Sequence, residues 1–300
     1  MTPAYITLHK NKELRRRIAA LQEILERCRL CPRACQVNRL AGLEQGYCRA
    51  GAAVMVASAF PHFGEEPPLV GFHGSGTIFF SHCNLRCVFC QNYDISHRGQ
   101  GEHLSVSELA QRMMDLQGQG CHNINLVTPT HYVPQIVAAL PEAIERGLTI
   151  PLVYNCGGYE SLEVIKLLAG IIDIYMPDAK FAGADRAAAY CNAPDYPLVL
   201  REVLCEMHRQ VGDLRLDDQG IATQGLLIRH LVMPQGVAGT KEIIAFIVEH
   251  VSGNSYVNVM AQYRPLYRSR EYPEIDRPIS MREYREAVKI ARQEGLHRGF

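Results

Sequence analysis

The sequence predicts an α/β fold built on a parallel β-sheet. Short apolar strand patterns alternate with helical patterns along most of the 300 residues. Strands separated by helices favour parallel pairing, because a parallel pair needs a long crossover that is usually a helix. Hydrophobic residues make up 47% and charged residues 21% of the chain, as in ordinary globular proteins with a sizeable core.

The N-terminal part lacks this alternation. Residues 12–28 carry a helical pattern with one apolar face, and a polar segment rich in Cys, Arg and Gly follows to about residue 52. We therefore predict two parts. Residues 1–60 form an N-terminal helix and a four-cysteine metal-binding segment, and residues 61–300 form the core with a C-terminal helix.

The core begins with the apolar strand Thr77-Ile78-Phe79-Phe80. Further strands are predicted at 123–127, 150–154, 171–176, 226–233 and 256–262. Helices are predicted at 105–117, 133–146, 161–169, 197–211, 240–251 and 281–294. Ser105 and Glu108 have the spacing of a capping box, which indicates where the first of these helices begins. These segments make six strand–helix units, whose functional groups are expected at the carboxyl ends of the strands.

Three cysteines, Cys83, Cys87 and Cys90, follow the first core strand with the spacing C-x3-C-x2-C. Three thiolates this close can hold one iron–sulfur cube and leave its fourth iron without a protein ligand. Such an open metal position is typical of a reactive site. The alternatives are half of a zinc site or three buried thiols.

The stretch from Ser81 to Asn92, with Phe89 directly before the third cysteine, resembles the signature of the radical S-adenosylmethionine (SAM) family. The resemblance implies a partial (β/α)6 barrel, a 4Fe-4S cluster on Cys83, Cys87 and Cys90, and SAM on the open iron. It also implies reductive cleavage of SAM to a 5′-deoxyadenosyl radical that abstracts hydrogen from a substrate. Phe89 is expected beside the cofactor.

Within that family the chain resembles the branch of pyruvate formate-lyase activating enzymes, particularly a group with an N-terminal four-cysteine segment. The stretches Cys83–Cys87, Gln91–Tyr93 and Tyr154–Glu160 carry this similarity, which covers about residues 28–265. It implies a protein substrate with a glycyl Cα–H as the abstracted hydrogen. It also implies an electron donor such as flavodoxin or ferredoxin.

The resemblance suggests further cofactor contacts. Thr128 and Thr130 stand where the branch carries Gly-Gly-Glu, so their hydroxyls replace a missing glutamate opposite the SAM ammonium, more weakly than a carboxylate would. Asn155 is expected to contact the sugar or the carboxylate. Asp178 and Lys180 match an Asp-x-Lys motif facing SAM, the alternative being a surface ion pair of little energetic value.

Arg229 lies within the strand predicted at 226–233. A charged side chain that lines a barrel needs a partner, so Arg229 is expected to pair with a carboxylate near the cofactor.

A second cysteine group has the spacing C-x2-C-x3-C-x12-C. Its members are Cys28, Cys31, Cys35 and Cys48. Four ligands suit either a closed zinc site or a fully ligated iron–sulfur cluster, and the sequence leaves both open. A reduced thiol-rich segment or a redox disulfide pair is the alternative. Because these cysteines lie outside the core that supplies the triad, we predict that the two groups bind metal independently.

The net charge and the hydropathy of the sequence limit the kinds of partner that we expect. The formal net charge is zero, which argues against binding of a long nucleic acid, and no apolar run is long enough for a membrane span. Eleven cysteines without a signal-peptide core predict a cytoplasmic protein. Two other functions stay open: a radical SAM enzyme acting on RNA or a small metabolite, and a two-cluster electron-transfer protein without SAM chemistry.

Overall fold

A computed structural model describes residues 2–42 and 46–300. Its strands, in chain order, are β1 (Val54–His62), β2 (Ser75–Phe80), β3 (Glu102–Leu104), β4 (Ile124–Val127), β5 (Leu152–Cys156), β6 (Ile174–Pro177), β7 (Arg215–Leu216), β8 (Ala222–Leu231) and β9 (Tyr256–Met260). The parallel strands are ordered β2-β4-β5-β6-β8-β9. No pairing joins β9 to β2 in the described ranges, so the barrel is open. The predicted α/β fold with a partial six-stranded barrel is confirmed.

The helices are α1 (Ala4–Lys10), α2 (Glu13–Glu23), α3 (Pro67–Val70), α4 (Tyr93–Ser96), α5 (Val106–Gly118), α6 (Val133–Glu145), α7 (Leu162–Leu167), α8 (Ala184–Cys191), α9 (Tyr196–Val211), α10 (Thr240–Phe246) and α11 (Met281–Gln293). The capping box of α5 forms as predicted: Ser105 Oγ accepts from the Glu108 N–H, and the Glu108 carboxylate accepts from the Ser105 N–H. None of the described helices is long and apolar enough to cross a membrane.

Buried side chains form two layers. The larger cluster lies between the sheet and the surrounding helices. A smaller one fills the barrel interior with Val153, Ile174, Met176 and Leu227, and Leu69 of α3 packs into it. The Leu69 carbonyl accepts from the Asn123 side chain, directly before β4. The connection from β1 to β2 therefore closes the barrel at the amino ends of its strands and leaves the carboxyl ends open for a site.

The sheet extends beyond its parallel part, which the sequence patterns did not predict. Strand β1 pairs antiparallel with β2 and with β3 at one edge, and β7 pairs antiparallel with β8. Most residues of β1 are only half-buried, so the strand lacks the clear apolar alternation that marks a covered one. Strand β5 starts two residues later than predicted, at Leu152, because Pro151 cannot donate to the ladder.

The N-terminal helices pack on the outside of the barrel. The Tyr5 hydroxyl donates to the Ile150 carbonyl at 2.8 Å, and Arg17 donates to the carbonyls of Lys166 and Leu167 at 3.1 and 2.9 Å. These contacts tie the first helices to the β5 and α7 region. The cysteine-rich segment that follows is thereby held against the same side of the core.

Candidate active site

A cavity of about 260 Å³ opens at the carboxyl ends of the parallel strands. Every parallel strand contributes at least one residue at or directly after its carboxyl-terminal part, including Phe79, Val127, Asn155, Asp178, Arg229 and Met260. Cys83, Cys87 and Cys90 line the same cavity, as does Phe89. The triad thus lies where a parallel sheet presents its functional groups.

The triad loop folds tightly after β2. His82 and Arg86 adopt left-handed backbone conformations, with φ of 72° and 54°, which wrap the chain around the thiols. The Leu85 N–H donates to Cys83 Sγ at 3.4 Å, and Cys90 Sγ lies 3.1 Å from the Ser96 hydroxyl. The loop therefore directs all three sulfur atoms inward and gives two of them a hydrogen-bonding partner.

Cys87 is buried and Cys83 and Cys90 are half-buried, and the pKa values of all three thiols are raised. Burial raises the pKa of Cys83 to about 12 and also raises the pKa of Cys90. A hydrogen bond with the Cys191 thiol, followed by burial, raises the pKa of Cys87. Bound iron would stabilise the thiolates and release these protons. Across the described residues, no three His, Cys, Asp or Glu side chains are already arranged around one metal position, and this includes the four N-terminal cysteines. The triad thiols share a cavity instead, an arrangement that suits ligands of different irons in one cluster.

Charged side chains form the opposite wall. Asp178 accepts from Arg229 Nε at 2.7 Å and from Lys180 Nζ at 2.6 Å, and Arg229 Nη2 donates to Asn155 Oδ1 at 2.7 Å. Burial disfavours the carboxylate, but the two cations outweigh burial and hold the pKa of Asp178 below its ordinary value. Asp178 in turn raises the pKa of Lys180 against the effect of burial. The Asp178–Lys180 pair is thus inside the cavity and is not a surface ion pair.

Two cations and one carboxylate of this wall line the cavity. Lys180 and Arg229 carry two positive charges, and Asp178 carries one negative charge. Glu65 lies 3.6 Å from Arg229, and burial raises the pKa of its carboxyl. The arrangement suits an anionic group of a ligand, such as a carboxylate.

The two threonines that replace Gly-Gly-Glu separate in the structure. Thr128 lines the cavity, with φ of 58° and its N–H donating to the Asn155 carbonyl. Thr130 is turned away into a short 3₁₀ turn, where its hydroxyl donates to Glu160 Oε1 at 2.9 Å. The cavity lining does not include Thr130, so its predicted cofactor contact has no support in the geometry. The left-handed conformation of Thr128 and the Pro129 that follows it turn the chain between Thr128 and Thr130.

Phe89 packs among aromatic side chains at the edge of the cavity. Its ring packs edge to face on Phe181 and tilted on Tyr263, with ring centres 6.0 Å apart in both pairs.

Position 158 requires glycine for two reasons: its φ is 76°, and a Cβ there would lie 2.6 Å from the Asp178 carbonyl oxygen. The Gly157-Gly158 pair is therefore a tight turn that lets β5 and β6 end side by side.

Two residues beside the triad were not singled out by the sequence. Cys191, at the end of α8, lies with its Sγ 3.1 Å from Cys87 Sγ. Ser96, in α4, contacts Cys90. Neither α8 nor α4 was predicted, and a cysteine about a hundred residues from its partner carries no spacing signal. Only the tertiary structure could place Cys191 there.

The four N-terminal cysteines line a second, smaller cavity. Backbone hydrogen bonds between Cys28, Gln36 and Val37 close a small hairpin around Cys31 and Cys35, and the Tyr47 N–H donates to Cys35 Sγ at 3.3 Å. All four are free thiols, so the predicted alternative of a disulfide pair does not occur in the structure. Burial raises the pKa of Cys31 and of Cys48.

His131 lines the cavity of the four cysteines as well. Its Nε2 lies 2.7 Å from the Ser81 carbonyl, whereas its Nδ1 is buried with no hydrogen-bond partner among the described residues. Burial lowers the pKa of His131 to about 3, so the ring is neutral. A neutral ring nitrogen beside four thiols adds a potential metal ligand that the sequence patterns had not marked.

Comparison with known proteins agrees with this site. The sequence profile described as the radical SAM superfamily matches residues 77–183, which include the triad, both threonines, Asn155 and the Asp178–Lys180 pair. An uncharacterized protein of Methanocaldococcus jannaschii, MJ0674, is 31% identical over 290 residues, covering 93% of this chain and 78% of that protein. The similarity to this relative thus extends through nearly the whole chain.

Proposed function

Because this chain belongs to the radical SAM superfamily, we propose that it is an iron–sulfur enzyme that cleaves SAM reductively and abstracts hydrogen from a substrate. The observation that supports this proposal is the position of Cys83, Cys87 and Cys90 in one cavity at the carboxyl ends of six parallel strands. When bound, a 4Fe-4S cluster supplies the electron that converts SAM to a 5′-deoxyadenosyl radical. The protein side chains hold, orient and shield the reactants.

The triad holds the cluster, and the facing wall binds SAM. Lys180 and Arg229, the two cations that line the cavity, attract the SAM carboxylate. Thr128 and Asn155 provide neutral oxygen atoms for the ammonium or the sugar. Apolar side chains of Val127, Leu231 and Met260 line the remaining wall and exclude water from the reacting atoms.

For the substrate we propose a glycyl residue of a partner protein, and for the reductant a donor such as flavodoxin or ferredoxin. The sequence similarity at Cys83–Cys87, Gln91–Tyr93 and Tyr154–Glu160 supports this choice. To test the proposed glycyl substrate, the protein, SAM and a reductant are incubated with an extract from cells grown on Cα-deuterated glycine, whose proteins carry deuterated glycyl residues. Deuterium appearing in 5′-deoxyadenosine supports a glycyl donor, whereas unlabelled 5′-deoxyadenosine formed at the same rate would contradict it.

We also propose that Cys28, Cys31, Cys35 and Cys48 bind a second metal, either zinc or an iron–sulfur cluster. Their shared cavity and the unpartnered Nδ1 of His131 support this site. The test is iron, sulfide and zinc analysis of anaerobically purified protein. A variant with all four cysteines changed to Ser should lose one of these elements relative to wild type. Unchanged content of all three would exclude the second metal.

The enzymatic proposal is tested by replacing the triad. A variant with Cys83, Cys87 and Cys90 changed to Ala should lose about one four-iron cluster and form no 5′-deoxyadenosine from SAM and dithionite. Cys205→Ala is the matched control, because Cys205 lies on α9 outside the cavity lining. Continued formation of 5′-deoxyadenosine by the triple variant would show that the chemistry occurs elsewhere.

A further inference from the structure

The four-cysteine segment touches the backbone of the triad loop through Arg33. This residue lies between Cys31 and Cys35, and its Nε donates to the Asn84 carbonyl at 3.0 Å. Its Nη2 donates to the Cys191 carbonyl at 2.9 Å, and its Nη1 donates to the Asn192 carbonyl. One guanidinium thus holds the loop between Cys83 and Cys87 against the end of α8.

Tyr47, next to Cys48, makes a second connection. Its ring stacks on Arg33, with the guanidinium carbon 3.9 Å from the ring centre. Its hydroxyl donates to the Leu85 carbonyl at 3.3 Å. Arg33 is two residues from Cys31 and from Cys35, and Tyr47 directly precedes Cys48.

These contacts converge on one cluster ligand. Asn84 and Leu85 precede Cys87 in the loop, and Cys191, whose carbonyl Arg33 holds, places its thiol 3.1 Å from Cys87 Sγ. Asn84 is also held from its side chain, which donates to the Tyr159 carbonyl at 2.6 Å. Arg33 is thus in position to determine both the path of the loop and the position of the neighbouring thiol.

We propose that Arg33 and Tyr47 are positioning residues for the radical SAM cluster, so that order in the four-cysteine segment and cluster binding at the triad are coupled. This inference deepens the proposed function and rests on it for the identity of the cluster. It replaces the expectation that the two cysteine groups act independently. Coupling of this kind is reciprocal: whatever orders the N-terminal segment strengthens cluster binding, and cluster binding orders the segment.

The first test follows the cluster. Anaerobically reconstituted protein is reduced, and the EPR signal that changes on addition of SAM identifies the cluster with the open iron. Loss of this signal to an iron chelator should be about tenfold faster in Arg33→Ala, the effect of about one charged hydrogen bond. Arg33→Lys should rescue only partly, because an ammonium cannot span three carbonyls as the guanidinium fork does.

Arg29→Ala is the matched control. Arg29 lies in the same segment and its replacement removes the same charge, but within residues 2–42 and 46–300 its side chain bonds to the exposed Glu163 alone. Its chelation rate should equal that of wild type. Equal rates for Arg33→Ala and Arg29→Ala would overturn the proposal.

A second test needs no cluster and separates failure of this inference from failure of the proposed function. Metal-free protein is alkylated briefly with iodoacetamide and digested with trypsin. Cleavage after Arg86 separates Cys83 from Cys87 and Cys90. Alkylation of Cys83 and Cys87, relative to the distant Cys205, should accelerate severalfold in Arg33→Ala and remain unchanged in Arg29→Ala. Unchanged labelling would refute positioning by Arg33 even if SAM cleavage is established.

Discussion

Two carboxyl groups in different regions of the molecule, Asp178 and Glu160, differ in their ionisation. Asp178 faces the triad cavity, where Lys180 and Arg229 keep its pKa low in spite of burial. Glu160 lies on the side of the four-cysteine segment, where it accepts from Tyr154 and Thr130 hydroxyls at 2.8 and 2.9 Å. Burial raises the pKa of Glu160 to about 7.

The comparison shows what decides whether a desolvated carboxyl group keeps its negative charge in this protein. Neutral hydroxyl donors lower the pKa of a buried carboxyl less than two cations do, so Glu160 titrates near pH 7 whereas Asp178 stays ionised there. The ionised carboxylate is therefore at the open cavity, where a charged cofactor would bind. Near the four cysteines the charged groups are the guanidiniums of Arg33 and Arg39, which donate to backbone carbonyls.

The largest expected effect comes from removing the charge at the cavity. Asp178→Asn leaves Lys180 without its carboxylate partner and Arg229 with the more distant Glu65, and breaking such a buried pair costs about 3–5 kcal/mol. We expect the free energy of unfolding to fall by about that amount in chemical denaturation. Asp218→Asn, in an exposed turn, is the control. Wild-type stability of Asp178→Asn would mean that the two cations need no counter-charge in the folded protein.

Lys180→Ala tests whether the positive charges of the cavity bind SAM. Arg229 continues to pair with Asp178, so the fold should persist while one positive charge is lost from the cavity. Loss of a charge-assisted contact costs about 1.5–3 kcal/mol, or about ten- to over a hundredfold in SAM affinity. Anaerobic calorimetric titration of SAM should show this weakening with unchanged iron content.

The controls for this experiment are two lysine variants. Lys241→Ala removes an exposed lysine from α10 and should bind SAM like wild type. Lys180→Arg should recover part of the affinity, because it keeps the charge but changes its shape. Unaltered SAM affinity in Lys180→Ala would place the carboxylate contact on Arg229 alone.

The smallest effect concerns Glu160 and pH. Its carboxyl binds a proton more tightly in the folded than in the unfolded chain, since burial raises its pKa from 4.5 to about 7. Its contribution therefore favours folding below pH 4.5 and is lost as pH rises through 7. Between pH 6 and 7.5, wild type should lose roughly 1 kcal/mol relative to Glu160→Gln.

Burial also raises the pKa of Asp173 to about 7, so wild type and variant share that pH dependence. The difference between their unfolding free energies, measured by denaturant titration at each pH, isolates Glu160. A difference that stays constant with pH would show that Glu160 is ionised throughout this range.

The alternation of strands and helices could be predicted because each core strand is buried and apolar, and because helix starts such as Ser105 carry their own capping signal. Strand β1 and helix α8 escaped prediction, since half-burial and short length weaken periodicity. The Asp178–Lys180 pair was assigned from the resemblance to the family's Asp-x-Lys motif. Its placement inside the cavity depends on how β6 and β8 pair.

The sequence by itself determined the α/β class, the two cysteine groups and the position of the triad at a strand end, because these depend on local spacing and periodicity. Three contacts were decided only by the tertiary structure. The Thr130 hydroxyl bonds to Glu160 outside the cavity, the Cys191 thiol contacts Cys87, and Arg33 donates to the Asn84 carbonyl of the triad loop. These contacts join residues 30 to more than a hundred positions apart. Local patterns carry no information on such pairings, which arise when packed elements bring distant segments together.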